Sequence, residues 1–122
     1  FKFSGIIVKG KGVGKTIGFP TANISIENKN KTIPKRGVYA VSIYWNKYKL
    51  KGMLNIGTNP TINNGKKTCI EVNIFDFNKS IYNTIITIEV ISRIRNEKRF
   101  KTIDELKNQL ALDKIAALNM LD

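Results

Sequence analysis

Val38-Tyr39-Ala40-Val41-Ser42-Ile43-Tyr44-Trp45-Asn46-Lys47-Tyr48 reads as strand, turn, strand. Tyr39, Val41, Ile43 and Trp45 fall at every second position and share one face, with Ala40 and Ser42 on the other. Asn46-Lys47 is a two-residue hairpin connection into a second strand over Tyr48–Ile56. The pattern repeats outward from this hairpin. Ile6-Ile7-Val8 is a first strand, and Thr68–Phe77 and Ile81–Ile94 are the last ones, with Ile86, Ile88 and Val90 as an alternating apolar face. Asn28–Lys35 is a polar loop closing at Pro34, and Asn63-Asn64-Gly65 is a turn. Asn55-Ile56-Gly57-Thr58-Asn59-Pro60-Thr61 reads as a glycine- and proline-shaped strand exit. Thr102-Ile103-Asp104-Glu105 is a capping box that opens a helix over 103–121. Ile103, Leu106, Leu110 and Ala117 form its apolar stripe, which is expected to pack against the sheet or barrel. Five or six antiparallel strands with one terminal helix predict a small closed barrel, because closure leaves no strand edge exposed.

The length of 122 residues suits a single domain over 1–122. No apolar run approaches the ~20 residues that cross a membrane, so no membrane association is expected. Cys69 is the sole cysteine, which excludes an internal disulfide and fits a reducing cytoplasm. The first residue is Phe1 rather than Met, so the chain is expected to be a fragment of a longer one. A monomer is expected, because no self-complementary apolar face is evident.

The formal net charge is +12. It reads either as a solvated lysine coat or as a nucleic-acid surface. Arginines stand only at Arg36, Arg93, Arg95 and Arg99, and the lysines scatter from Lys2 to Lys114. Readers of bases and phosphates rely on arginine forks, so the coat is favoured and no nucleic-acid partner is expected. Histidine is absent, which excludes Ser–His and Cys–His catalysis and every His-based metal site. Any general base must be a carboxylate, a lysine, a tyrosine or Cys69.

Gly10-Lys11-Gly12-Val13-Gly14-Lys15 leads into Gly18-Phe19-Pro20-Thr21-Ala22-Asn23. The alternating glycines are either a tight turn or a cradle whose amides wrap phosphates, with Lys9, Lys11 and Lys15 as local cations. No Walker A motif is present, and Pro20 excludes a Rossmann turn, since a helix should follow there. Pro20 sets the backbone before Thr21. In an extended segment Thr21 and Asn23 face the same way and can meet one hard ion or phosphate, or else satisfy loop backbone groups. Further on, Glu71, Asn73 and Phe75 share one strand face, opposite Val72 and Ile74. Glu71 is the better base candidate and Asp76 points away; the alternative is a solvent-exposed strand glutamate. Arg95 and Glu97 are spaced to share a face and to fix one another, or to form an ordinary surface ion pair.

Taken in order, these stretches resemble the riboflavin kinase family. The resemblance rests on Gly18 to Ile24, Gly37 to Val41, Gly52 to Gly57 with Pro60-Thr61, Glu71 to Phe77, and Arg95 to Phe100. It implies a mainly β fold: a six-stranded antiparallel Greek-key β-barrel with a C-terminal α-helix. It implies transfer of the ATP γ-phosphate to the 5′-hydroxyl of riboflavin, giving FMN and ADP, with Mg²⁺ as cofactor. By the same resemblance Glu71 is the catalytic base, and Thr21 and Asn23 hold the metal and the phosphates. Lys9, Gly10, Gly12, Gly14 and Lys15 lie over the nucleotide phosphates, and Arg95, Glu97 and Phe100 form the flavin side. Fusion to an N-terminal adenylyltransferase domain is expected, and FMN adenylyltransferase activity would need that domain. Asn73 stands where the family commonly has histidine, and Asn83 where it has glycine. The contrasting expectation is a basic small β-barrel that binds single-stranded nucleic acid, stacking bases on Phe75, Tyr44 and Trp45.

Overall fold

The structure, a computed structural model, describes residues 1–8, 21–25, 33–60, 66–77 and 81–121. Six strands carry the chain: β1 (Lys2–Val8), β2 (Ala22–Ser25), β3 (Gly37–Trp45), β4 (Tyr48–Pro60), β5 (Lys66–Ile74) and β6 (Ile85–Arg95). One helix, α1 (Ile103–Met120), follows them. The strands close into a barrel in the order β1-β2-β5-β4-β3-β6, and every pairing is antiparallel. Within it β3, β4 and β5 run as a meander and β6 returns beside β3, which is the Greek-key arrangement.

The alternation along the hairpin does what period-2 patterning requires. Tyr39, Val41 and Ile43 enter the barrel core with Leu54, Ile56, Val72, Ile86 and Ile88. Ala40, on the other face, packs with Met53 and Phe75 against Ala117 and Leu121, so α1 lies on the outside of the barrel. That arrangement buries both faces of β3 from Gly37 to Ile43. Asn46 accepts the left-handed turn conformation (φ 52°), and Trp45 pairs directly with Tyr48 across the two-residue loop. At the head of α1 the Thr102 hydroxyl accepts from the Glu105 amide at 3.1 Å. The Glu105 carboxylate reaches back one residue further, to the Lys101 amide at 3.2 Å, so the Thr102 half of the capping box is formed and the reciprocal bond falls on the residue before the cap.

Several boundaries differ from the sequence expectations. β1 begins at Lys2 rather than Ile6, and the segment after Pro20 contributes a short strand, β2. The expected strand exit at Asn55–Thr61 instead continues β4 through Pro60, paired to β5 as far as Lys66. β6 starts at Ile85, because Ile81–Thr84 form a turn in which Asn83 takes φ 64°. The turn is tied to β1 by the Asn83 amide, which donates to the Ile7 carbonyl at 2.8 Å. A left-handed residue there explains why glycine serves as well as asparagine. Ile103 is 59% exposed rather than part of the docked stripe, because the helix meets the barrel only from its second turn. Residues 28–32 of the polar loop and the Asn63-Asn64-Gly65 turn lie outside the described residues. No helix among the described residues is long and apolar enough to cross a membrane.

Candidate active site

Strand register builds the site. Asn23 on β2 pairs with Glu71 on β5, Glu71 with Asn55 on β4, Asn55 with Val38 on β3, and Val38 with Arg95 on β6. Residues paired in register put their side chains on the same face of a sheet. The neighbouring row of Ala22, Val72, Leu54 and Tyr39 packs into the barrel interior. The row from Asn23 to Arg95 therefore faces outward. Four strand spacings make it roughly 19 Å long.

A cavity of about 230 Å³ lies along this row, between the barrel and α1. Thr21, Asn55 and Glu71 line its polar end, while Val38, Met53, Leu54, Phe100, Leu106 and Leu110 supply apolar walls. Asn73, Arg95, Glu97 and Lys98 also reach it. Thus Thr21, Glu71, Arg95, Glu97 and Phe100, all named from the sequence, meet at one cavity, with Asn23 paired beside Glu71. Lys9, Gly10, Gly12, Gly14 and Lys15 lie outside the described residues.

Asn23 carries an informative defect. Its Oδ1 is buried and has no hydrogen-bond partner among the described residues. A buried acceptor without a donor costs free energy unless something else satisfies it. A hard cation, which prefers oxygen ligands, would satisfy it. Among the described residues no cluster of three His, Cys, Asp or Glu side chains could hold a metal. A metal here would therefore draw on neutral oxygens, such as those of Asn23 and Thr21, and on the oxygens of a ligand.

Arg95 does not pair with Glu97. Its Nε donates to Asp113 Oδ1 at 2.9 Å and its Nη2 to Asp113 Oδ2 at 2.7 Å. The Glu97 carboxylate instead lies against Gly57, so closely that a side chain at position 57 would overlap it. Arg93 stabilises the nearby chain crossing, donating to the Tyr39 hydroxyl at 2.7 Å and to the Arg36 carbonyl at 2.8 Å. Two participants escaped the sequence reading. Asn55 stands in the Gly52–Gly57 stretch of the resemblance but is given no role there. Asp113 could have been found as a carboxylate on the apolar stripe of Leu106, Leu110 and Ala117.

The family model for riboflavin kinase matches residues 1–121. The chain belongs to the riboflavin kinase family. A bifunctional riboflavin kinase/FMN adenylyltransferase from Bacillus subtilis is 43% identical over 116 residues, covering 93% of this chain and 36% of that protein. The chain thus spans little more than a third of the length of that relative. A Streptococcus pneumoniae crystal structure described as a macrolide-efflux protein superposes with a TM-score of 0.89 at 36% identity. That match covers 97% of this chain and 38% of the other. A riboflavin kinase structure from Trypanosoma brucei gives a TM-score of 0.66 at 18% identity, covering 98% of this chain and 78% of the other, a likeness of fold. Family membership agrees with the mainly β barrel and its terminal helix. Of the aromatics named for base stacking, Phe75 is 6% exposed beneath α1, Trp45 stacks on Tyr48 and meets Phe77 edge-on, and Tyr44 is half-buried with its hydroxyl on Glu89.

Proposed function

We propose that this chain catalyses transfer of the γ-phosphoryl group of ATP to the 5′-hydroxyl of the ribityl chain of riboflavin, giving FMN and ADP. The reading is supported by one observation above others. Thr21 and Glu71 line a cavity that also has apolar walls from Val38, Met53, Phe100, Leu106 and Leu110, and the orphaned Asn23 Oδ1 lies on the strand paired beside Glu71. The apolar part suits the flat flavin ring, and the polar end suits the ribityl hydroxyls and the phosphates.

In this reading Glu71 accepts the proton of the 5′-hydroxyl as its oxygen bonds to the γ-phosphorus. The bond from that phosphorus to the bridging oxygen of ADP breaks in the same displacement. Thr21 and Asn23 would hold Mg²⁺, which, when bound, offsets charge on the phosphate oxygens. The outward row keeps the hydroxyl and its base in register, and alignment is the larger part of catalysis in phosphoryl transfer. Gly10, Gly12 and Gly14, with Lys9 and Lys15, are the proposed phosphate-binding residues. The chain is the kinase part of a longer bifunctional protein that acts in the cytoplasm, and its FMN is the substrate of the adenylyltransferase part.

The test is direct. The purified chain is mixed with riboflavin, ATP and Mg²⁺, and FMN is separated by chromatography. FMN formation that depends on Glu71 supports the reading, and folded protein that makes no FMN overturns it.

A further inference from the structure

Asp113 is the one charged side chain in the buried core of the described residues, 1% exposed, and it does not line the cavity. It occupies the stripe of α1 that docks on the barrel, between Leu110 and Ala117. Its carboxylate accepts Arg95 Nε at 2.9 and 3.1 Å, Arg95 Nη2 at 2.7 Å and Gln109 Nε2 at 2.9 Å. Arg95 Nη1 donates to the Asn96 carbonyl at 3.0 Å, and the guanidinium carbon stands 5.8 Å from the centre of the Phe100 ring. A guanidinium has five N–H groups. Three are engaged, which leaves one on each terminal nitrogen without a partner among the described residues, on a side chain that lines the cavity. A helix that needed only to dock would be served as well by an apolar residue, because a buried ion pair adds little net stability over a well-packed apolar pair.

We propose that Asp113 is a positioning residue for riboflavin: it clamps the Arg95 fork so that the two remaining N–H groups meet a hydrogen-bond acceptor of the flavin in the cavity. This rests on the riboflavin kinase reading. Asp113 touches neither substrate and acts only through Arg95. A hydrogen bond from a charged donor, when lost, weakens binding by roughly 10- to 100-fold.

Two variants test the proposal. Asp113→Asn keeps the shape and removes the charge. Arg95→Met/Asp113→Leu keeps the helix docked through apolar packing and removes the fork. For Asp113→Asn the expected result is a riboflavin KM raised roughly 10-fold or more, with the ATP KM and the kcat at saturating riboflavin near those of the parent. The double variant is expected to melt near the parent temperature and still to lose riboflavin affinity, read by quenching of flavin fluorescence without turnover. A double variant that melts like the parent and binds riboflavin equally well shows that the pair only docks the helix, and overturns the proposal. So does an Asp113→Asn protein whose two KM values rise together with a lowered melting temperature. A parent that binds riboflavin but forms no FMN fails the kinase reading alone. A parent that does not bind riboflavin overturns both.

Discussion

A methyl group added at Gly57 and one added at Gly52 probe the site and the fold separately. At Gly57 a Cβ would overlap Oε2 of Glu97, the end of an exposed side chain that can swing aside. Replacing glycine by alanine also removes unfolded-state freedom worth about 0.4–1 kcal/mol. Gly57→Ala is therefore expected to stay within about 1 kcal/mol of the parent, or roughly 5 °C in Tm. At Gly52 the Cβ would meet the Asn73 carbonyl oxygen at 2.5 Å and Ile43 Cδ1 at 2.7 Å. The first belongs to the β5 backbone and the second to a core side chain with no exposed surface. Overpacking of this kind costs about 1–3 kcal/mol, against which the same entropic gain offsets only a part. Gly52→Ala should lower Tm by several degrees and leave the riboflavin KM of the folded fraction unchanged. Gly57→Ala should do the reverse, because Glu97 lines the cavity. Thermal unfolding followed by circular dichroism, with steady-state kinetics on both variants, measures this. If Gly57→Ala melts as early as Gly52→Ala while its KM stays at the parent value, Glu97 is a rigid strut of the fold and not a movable wall of the site.

Glu71→Gln should lower kcat by about 10²- to 10⁴-fold, the usual worth of a general base, while fluorescence titration shows riboflavin still bound. Near-parental turnover would remove Glu71 from that role. Asn23→Ala should raise the Mg²⁺ and ATP concentrations needed for half-maximal rate more than it raises that of riboflavin; equal losses would point to unfolding of β2. Thr102→Ala should cost about 1 kcal/mol of stability through the lost helix cap, with both KM values unchanged. Tyr44 donates to Glu89 at 2.8 Å, which pushes its phenol pKa up, with burial and the Glu89 charge adding in the same direction. The phenol's hydrogen bond therefore supports the fold below the ordinary tyrosine range and is lost as pH rises through the raised value. In Glu89→Gln the phenolate absorbance should appear at lower pH than in the parent.

The hairpin and the helix were legible because they rest on local periodicity. Tyr39, Val41 and Ile43 alternate without interruption, and Thr102 and Glu105 stand at cap spacing. The gaps arise where local preference and tertiary pairing disagree. Ala22–Ser25 is too short to announce a strand, and it becomes one because β1 and β5 flank it. Gly57 and Pro60 are poor strand formers, yet pairing to β5 carries β4 through both. In the site, the shared face of Arg95 and Glu97 was readable from spacing, but not the choice of partner. Asp113 lies 18 residues beyond Arg95, and only the docking of α1 brings the two together. The same limit applies to Asn55, which sits beside Glu71 solely through register.

In the proposed mechanism, that dependence on register makes the apolar core part of what positions Glu71. Ile70 and Val72 flank Glu71 and are buried inside the barrel, 5% and 1% exposed. A slip of β5 by one residue would turn Glu71 into that interior and bring Ile70 or Val72 out to the cavity. Such a state buries a carboxylate among aliphatic side chains, which is costly without a partner. The alternation that packs the core therefore also aims Glu71, the proposed base, and Ala22 and Ile24 do the same for Asn23 on β2. The polar row needs no dedicated scaffold beyond these strands. It is the outer side of pairings whose inner side is held by hydrophobic burial, so a core substitution that loosens β5 should impair phosphoryl transfer before it unfolds the barrel.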